Sequence, residues 1–323
     1  MLFKLGWKLI KGLPRMVVVG AGAGIAWSAL GVDHRLPLGP ALPGSRLGGV
    51  DSQGGALNLY HDDGGDGDPV LLVHSVNAAA SSFEMLPLFT RLQEDRPVWS
   101  IDLPGFGGSE RGDRSYTPVL MTSAIVSTLE RIGPAHVVAL SLGCEFAARA
   151  AVDRPDLVKS LALVSPTGFD APRDRSDGLG AALRFPLWAQ AIFDGIVTRR
   201  SIRYFLGKYF SGQADESMVE YAHSTAHQPG ARHAPLAFLA GDLFTADAVE
   251  SLYAQVTVPT LVVYDRDPFT SFVRLPEFLA DHPSWSATRI AGTNGLPHWE
   301  RPAETLDALT EHWASREQDL TTA

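Results

Sequence analysis

The feature that most constrains the fold of this chain is an apolar, β-branched run that ends at a serine and continues as an alanine-rich helical pattern. Residues 137–146 read VVALSLGCEF, and the small residues Ala139 and Gly143 stand two places before and after Ser141. A serine on a sharp strand-to-helix turn has a strained backbone, so only small side chains fit at those two places. The following helix directs free N–H groups and its positive dipole end at the serine. The run therefore predicts a buried strand, a tight turn and a helix, with Ser141 as a candidate nucleophile.

The same alternation of strand and helix patterns runs along most of the chain. The strand patterns lie at 98–102, 135–141, 158–165, 260–265 and 286–291, and the helical ones at 81–95, 118–132, 143–153, 271–281 and 299–314. Continuous apolar strands that alternate with helices predict an α/β fold with a doubly wound, mostly parallel sheet. Ahead of them, residues 57–60 and 70–73 indicate two strands joined by a hairpin turn over the acidic, glycine-rich stretch 62–68. A calcium loop is the alternative for that stretch, but the downstream glutamate it needs is missing.

Five segments, in this order along the chain, resemble the α/β-hydrolase superfamily between about residue 55 and residue 314. They are the strand and oxyanion loop at 69–77, the D-x-P-G-x-G-x-S loop at 98–109, the nucleophile elbow at 139–143, the strand and loop of the acid at 259–269, and the histidine loop at 292–302. The resemblance implies an α/β-hydrolase fold with a helical cap inserted after the sixth strand.

The resemblance also implies acyl transfer at Ser141. A serine hydroxyl is a weak nucleophile and must lose its proton as it attacks. The backbone N–H groups of Val76 and of Leu142, at the helix N-terminus, are the implied oxyanion hole. Ser75 stands where the family usually has glycine, so Ser75 and the adjacent His74 are further pocket candidates.

In such a site an aspartate orients a histidine that acts as general base. Asp267, at the end of its strand, is the implied acid, with Asp265 and Asp170 as alternatives. The sequence departs from the family at the base, because Gly-His is replaced by Asn-Gly and Gly295 takes the histidine's place. We predict that His298, three residues later, acts as the base if its loop is drawn inwards. The alternative is that His298 packs at the start of the last helix.

These segments divide the chain into a core and two additions. The α/β-hydrolase core comprises residues 39–166 and 251–323, entered through a linker rich in proline and glycine at 32–54. Residues 167–250, helical in pattern and rich in aromatic side chains, are the predicted cap. Residues 1–38 form an apolar and basic N-terminal segment. A cap covers its site with apolar side chains, so some of its aromatics are expected to face the cleft.

The N-terminal segment has the composition of a membrane-associated helix. An uncharged run at 16–31 follows four basic residues, Lys4, Lys8, Lys11 and Arg15. The run is shorter than the ~20 residues that a transmembrane helix needs, and no clear cleavage site follows it. We predict that residues 1–31 associate with a membrane surface. The alternatives are a short signal anchor, a signal peptide, or a cytoplasmic protein in which this helix packs on the lid.

Composition argues against several classes of function. A net charge of −9 and a pI near 5.5 predict no nucleic-acid partner. The single cysteine, Cys144, excludes an intramolecular disulfide. His223 and His227 share a helix face but lack the glutamate of H-E-x-x-H, so we predict neither metal nor cofactor. A cationic cluster in the predicted cap consists of Arg199, Arg200 and Arg203. It indicates a solvated face, and the alternative is contact with an anionic substrate group or headgroup.

The sequence thus predicts a serine hydrolase that cleaves an ester, or a related acyl or C–C bond, of a largely apolar small molecule. Its predicted triad is Ser141, His298 and Asp267. The first alternative is a non-catalytic binding or accessory protein of the same fold, because the Gly-His motif is lost. The second is a different enzyme of this fold, such as a cofactor-free lyase or perhydrolase.

Overall fold

The computed structural model describes residues 14–170, 180, 183 and 185–322, and an eight-stranded sheet forms its centre. The strands are β1 Ser45–Ser52, β2 Gly55–Asp62, β3 Val70–Val73, β4 Val98–Asp102, β5 Ala135–Leu140, β6 Val158–Val164, β7 Thr260–Arg266 and β8 Trp285–Asn294. Their order across the sheet is β1-β2-β4-β3-β5-β6-β7-β8. β2 pairs with β1 and β4 in the antiparallel sense, and the other neighbouring pairs are parallel.

Helices connect and cover the strands. They are α1 Pro14–Gly31, α2 Leu86–Leu92, α3 Pro118–Ile132, α4 Gly143–Asp153, α5 Ala189–Ile196, α6 Arg199–Leu206, α7 Glu216–Ala226, α8 His233–Ala240, α9 Ala248–Ser251, α10 Leu275–Asp281, α11 Pro297–Glu300 and α12 Pro302–Thr322. The bounds follow ordinary capping rules. In α3, the Thr117 hydroxyl accepts from the Leu120 N–H at 3.2 Å, and Gly133, with φ at 85°, ends the helix.

Both faces of the sheet are buried, which explains the continuous apolar strands. In β3, Val70 and Leu72 contribute to one core cluster, whereas Leu71 and Val73 contribute to the other, because successive side chains of a strand point to opposite faces. Helices α3, α4 and α10 pack on one face, and α2 and α12 pack on the other. The predicted α/β fold with a doubly wound, mostly parallel sheet is confirmed.

Two expectations about the N-terminal strands are wrong. Residues 62–68 do not form a hairpin turn, because β4 lies between β2 and β3. The glycine-rich stretch packs instead on the chain that leads into β4, where the Gly67 N–H donates to the Asp95 carbonyl at 3.3 Å. The expected linker at 32–54 contains β1, whose sequence SRLGGVDS has no strand periodicity. Backbone pairing with β2 defines this edge strand.

The N-terminal segment is fastened to helices that lie between β6 and β7, where the cap is predicted. α1 packs against α5, and the buried Asp194 carboxylate accepts a hydrogen bond from the Ser28 hydroxyl at 2.5 Å. His34 Nε2 lies 3.0 Å from the same carboxylate. The chain then passes the end of α7, where Gln228 Nε2 donates to the Leu36 carbonyl at 2.7 Å. One alternative for the N-terminal segment was a helix that packs on the lid, and α1 does pack on the segment that was predicted to be that lid.

In the part of the chain that the structure describes, no helix is both long and apolar enough to cross a membrane. Residues 1–13, which carry Lys4, Lys8 and Lys11, lie outside the described residues. The end of α1 has an apolar side that does not pack on the cap, where Trp27 and Leu30 are 46% and 89% exposed. Membrane association remains a prediction.

Candidate active site

Ser141 occupies the sharp turn between β5 and α4. Its φ is 54°, in the left-handed region that a non-glycine residue rarely adopts, and its N–H donates to the Val164 carbonyl at 2.9 Å. A Cβ on Gly143 would lie 2.4 Å from the His74 carbonyl oxygen, so only glycine allows α4 to start this close to the neighbouring loop. The predicted turn is therefore present, with the serine at the N-terminus of a helix.

A cleft of about 320 Å³, its open mouth included, lies over Ser141. It is lined by Ser75, Asn77, Glu84, Leu140, Ser141, Leu206, Tyr209, Met218, Gly295 and Leu296. Of the residues predicted from the sequence, Ser75 and Ser141 line it. Glu84 and Asn77 were missed, because no local motif marks them, and Tyr209 is one of the aromatic residues of 167–250, some of which were expected to face the cleft.

The backbone N–H groups of Val76 and Leu142, the predicted oxyanion donors, have no acceptor within the described residues. Both residues are buried. Both ring nitrogens of His74, in contrast, are hydrogen-bonded to the backbone. Its Nδ1 donates to the Ser75 carbonyl at 2.5 Å, and its Nε2 accepts from the Leu103 N–H at 3.0 Å. This buried ring holds the loop in place and does not line the cleft.

Asp267 follows β7 and is half-buried beside the cleft. Its Oδ1 accepts from the N–H groups of Phe269 and Thr270 at 2.7 and 3.0 Å. Its Oδ2 faces the histidine loop, since a Cβ on Gly295 would lie 3.0 Å from it. Burial raises the pKa of Asp267, and the nearby Asp170 raises it further, against those two hydrogen bonds. The carboxylate thus lies where an orienting acid is expected, but glycine stands where its histidine would be.

The space beside Asp267 is filled by Tyr209, from the 3₁₀ turn Gly207–Tyr209. A Cβ on Gly295, whose φ is 94°, would lie 2.7 Å from Tyr209 Cδ1. The Tyr209 ring also packs on Phe269, with centroids 5.0 Å apart. Burial, together with the charges of Asp267 and Glu84, raises the pKa of Tyr209 well above its usual value. It is therefore a neutral phenol at physiological pH.

His298 is not in the cleft, which corrects the expectation that it reaches Ser141. The ring is fully buried, and Nε2 donates to the Glu84 carbonyl at 2.8 Å. Nδ1 has no hydrogen-bond partner. The loop is not drawn inwards, because the Asn294 N–H is bonded to the Glu300 carboxylate at 2.7 Å. Trp299 Nε1 donates to the same Glu84 carbonyl at 2.6 Å.

The two alternative acids have other partners. Asp265 accepts from Arg289 Nε at 2.6 Å and from the N–H groups of Gly292 and Thr293 at 2.8 and 3.0 Å. Burial alone would raise the pKa of Asp265, but these donors lower it. Asp170 accepts from the Ser271 N–H at 2.5 Å. Asp265 therefore fixes the second half of β8.

Acid is expected to destabilise the fold through buried histidines, of which His298 and His136 are more enclosed than His223. Burial lowers the pKa of both His298 and His136 to about 4, from an ordinary value of 6.5. The unfolded chain therefore binds more protons between pH 6.5 and 4, and the free energy of unfolding falls as the pH falls through that window. Each histidine accounts for about 3 kcal/mol of the unfolding free energy, fully present above pH 6.5.

Urea unfolding between pH 7 and 4 measures the loss, and His136→Gln should reduce the dependence of the unfolding free energy on pH by the contribution of that histidine. Equal unfolding free energies at pH 7 and 4.5 would contradict this.

Two remaining groups of candidates have their own partners. The rings of His223 and His227 stack with centroids 4.1 Å apart, and His227 Nδ1 bonds the His223 carbonyl at 2.7 Å. The described residues contain no group of three or more side chains placed to hold a metal ion. Arg199 and Arg203 of the cationic cluster pair with acidic residues of α7, namely Glu220 and Glu216.

Comparison with known proteins identifies the family. A sequence model of the alpha/beta hydrolase family matches residues 70–308, so the chain belongs to that family. 2-(Acetamidomethylene)succinate hydrolase of Mesorhizobium japonicum is 25% identical over 266 residues, which cover 79% of this chain and 91% of that protein. The solved structure of a serine hydrolase involved in carbazole degradation matches with a TM-score of 0.67 and 19% identity, over 84% of this chain and 99% of the other.

Other relatives match over a shorter span. BpoC of Mycobacterium tuberculosis, named as a non-heme bromoperoxidase, is 32% identical over 114 residues. That match covers 35% of this chain and 43% of the relative, so the chain spans less than half of its length. The family and the hydrolases among these relatives support hydrolase chemistry in general terms.

Proposed function

We propose that this protein is a serine hydrolase that cleaves a neutral, largely apolar ester, with Ser141 as the nucleophile. The observation that carries the proposal is the strained turn at Ser141, with φ at 54°, at the start of α4. The backbone N–H groups of Val76 and Leu142 have no acceptor within the described residues, as donors that await a developing oxyanion should.

The reaction would run in two halves. Ser141 Oγ attacks the ester carbonyl carbon and loses its proton to a base, while negative charge develops on the carbonyl oxygen near the two N–H groups. The tetrahedral intermediate collapses, and the alcohol leaves with the proton from the base. Water then attacks the acyl-serine in the same way, releasing the acid and regenerating the Ser141 hydroxyl.

The lining of the cleft favours a neutral substrate. Its walls include Leu140, Leu206, Met218 and Leu296, whereas its one carboxylate is Glu84. Among the described residues, no Lys, Arg or His lines it. A charged succinate, as in the name of the Mesorhizobium relative, would meet an acidic side chain and no cation. We therefore expect this protein to prefer esters of uncharged acyl groups.

Ser141 should form a covalent adduct with a fluorophosphonate. Wild type is expected to gain the mass of one probe, and Ser141→Ala none, because the probe requires an activated serine. Intact-mass spectrometry of the full chain measures the adduct, with thermal unfolding as the control for folding. A folded wild type that gains no mass between pH 5 and 9 would overturn the proposal.

A second candidate function is ligand binding without turnover. The specific observation in its favour is that Gly295 and Tyr209 occupy the place of an imidazole base beside Asp267. Loss of a triad residue lowers kcat by about 10⁴ to 10⁶ in well-studied proteases. An apolar ester that binds wild type but is returned unchanged, with no adduct at Ser141, would establish this function.

We also propose that the N-terminal segment binds a membrane surface without spanning it. The unpacked side of α1 carries Trp27 and Leu30, and it follows the basic residues of 1–15. An apolar stripe next to lysines suits an interface with anionic lipid. The packing of Ser28 and His34 on Asp194 leaves this side of the helix exposed.

Exposed apolar side chains at the end of α1 should strengthen vesicle binding. Trp27→Ser and Leu30→Ser are each expected to weaken binding by about 10- to 100-fold, since each removes roughly 1.5–3 kcal/mol of apolar burial. Flotation of the full chain with phosphatidylcholine vesicles, with and without phosphatidylglycerol, measures binding. Val119→Ser, at a similarly exposed position on α3, is the matched control. Equal binding by all four proteins, or none by wild type, would contradict the proposal.

A further inference from the structure

We infer that Glu84 is the general base of this site, in place of the histidine that the family uses. The inference rests on the proposed hydrolase function and names the group that takes the proton of Ser141. It starts from the cleft, where the described lining residues include two titratable side chains, Glu84 and Tyr209. Tyr209 is a neutral phenol at physiological pH, and a phenol oxygen is too weakly basic to take the proton of a serine. Glu84 is therefore, among the described residues, the one carboxyl side chain that shares the cleft with Ser141.

The other basic groups nearby face elsewhere. His298 Nε2 is bonded to a carbonyl, and its Nδ1 is buried outside the cleft. Both nitrogens of His74 are bonded to backbone groups. Asp267 does not line the cleft, and Tyr209 packs on the side of Gly295 that a histidine would use.

The Glu84 carboxylate is held against the oxyanion loop. Its Oε2 accepts from the Ser75 N–H at 2.9 Å, and its Oε1 accepts from Asn77 Nδ2 at 2.7 Å. These two residues flank Val76, whose N–H is a candidate oxyanion donor. The base and the oxyanion hole are thus fixed to one loop, as a preorganised site requires. Each carboxylate oxygen has a second lone pair, so these bonds leave an acceptor for a proton.

The backbone of Glu84 is fixed as well. His298 Nε2 and Trp299 Nε1 both donate to its carbonyl, at 2.8 and 2.6 Å. His298 is therefore a positioning residue, which acts through Glu84. Its burial agrees with this role, because the neutral ring keeps its proton on the nitrogen that faces the carbonyl.

Glu84 alone can carry every proton that the reaction moves. The carboxylate takes the Ser141 proton, directly or through one water, as Oγ bonds to the carbonyl carbon. The resulting carboxylic acid gives that proton to the departing alkoxide. In the second half the carboxylate takes a proton from the attacking water and returns it to Ser141 Oγ as the acyl bond breaks. The net reaction is ester plus water to acid plus alcohol.

The test compares two buried glutamates that have the same kind of partners. Glu145 accepts from the Thr245 N–H at 2.7 Å and from the Thr167 hydroxyl at 2.5 Å, but it does not line the cleft. Glu84→Gln is expected to slow fluorophosphonate labelling at pH 7 by at least about 100-fold, the usual contribution of a general base. Glu145→Gln should label within about threefold of wild type. Labelling of Glu84→Ala should accelerate with added formate, which resupplies a carboxylate.

The outcomes separate this inference from the proposed function. If wild type labels at Ser141 and Glu84→Gln labels at the same rate, Glu84 is not the base, while the hydrolase proposal stands. If both glutamine variants slow equally and formate has no effect, Glu84 has only a structural role. If folded wild type does not label, both proposals fail. Should Glu84→Gln not fold, Glu84→Asp, which withdraws the carboxylate by one methylene, is expected to label about 10-fold more slowly. A wild-type rate in that variant would overturn the inference.

Discussion

Replacing Gly295 with histidine and Tyr209 with alanine together is expected to accelerate acylation of Ser141 about 100-fold. A Cβ at residue 295 points between Asp267 Oδ2, at 3.0 Å, and Tyr209 Cδ1, at 2.7 Å. Removal of the Tyr209 ring frees the space that an imidazole would fill, and Asp267 is placed to orient it. Near neutral pH an imidazole is a better matched base than a carboxylate. Fluorophosphonate labelling and ester hydrolysis both measure the gain.

The single variants and an external base provide the controls. Gly295→His alone should gain little, because the Tyr209 ring stands where the new side chain would lie. A non-glycine residue at φ 94° costs about 1–3 kcal/mol of stability. A second experiment therefore supplies the imidazole from solution and leaves Gly295 in place. Tyr209→Ala, which keeps Gly295, should label faster as free imidazole is added, and Asp267→Asn should abolish that response. A folded double variant no faster than wild type would show that Asp267 does not face Ser141 through this space.

The parts of the structure that the sequence predicted correctly are those determined by interactions between residues close together in the sequence. The turn at Ser141 needs a small residue on each side, and Gly143 meets the His74 carbonyl in the folded protein. Strand β3 is buried on both faces, so all four of its residues are apolar. Thr117 and Pro118 mark the start of α3 at the residue where the structure begins it. Local steric and capping rules carry this information.

Strand pairing could not be predicted in the same way. The acidic, glycine-rich stretch at 62–68 has the composition of a hairpin turn, but the composition of a turn does not determine which strands pair with each other. β2 pairs with β4, about 40 residues later, as in the register between Asn58 and Asp102. β1 was missed because its apolar content is low, and its place at the edge depends on β2 rather than on its own core packing.

The strained turn at Ser141 was predicted from the sequence, whereas the arrangement around the proposed base was not. Glu84 lies 57 residues before Ser141 in sequence and joins it only through the order of β3 and β5 in the sheet. Tyr209 comes from the predicted cap, residues 167–250, and cap sequences carry no transferable pattern. The signal that was available is the glycine at 295. When a motif loses a large side chain, another side chain must occupy the space or the surrounding residues must pack differently. Here the Tyr209 ring lies where the side chain of a histidine at residue 295 would be.

The largest loss of stability is expected from Asp102→Ala, at about 4 kcal/mol. The Asp102 carboxylate is fully buried and accepts three hydrogen bonds, from the Ser82 N–H and the Gly108 N–H at 2.8 Å each and from Asn58 Nδ2 at 2.7 Å. Alanine would leave all three donors buried without an acceptor, and each such donor costs about 1–3 kcal/mol. Gly107 is glycine because a Cβ there would lie 2.0 Å from the carboxyl carbon. The D-x-P-G-x-G-x-S loop is thus built around this side chain.

The graded variant Asp102→Asn tests whether the hydrogen bonds cause the loss. An asparagine oxygen placed at Oδ2 keeps the bonds from Gly108 and Asn58, while its amide nitrogen meets the Ser82 N–H, so one donor is left unpaired. We expect a loss of about 1–3 kcal/mol, below that of alanine. Urea unfolding at pH 7 measures both. Ser82 begins the 3₁₀ turn that ends just after Glu84, so the alanine variant should also lose fluorophosphonate labelling under conditions where it is still folded. Equal stability of the two variants would show that neither the unpaired donors nor the cavity sets the cost, but the loss of the carboxylate charge, which both variants share.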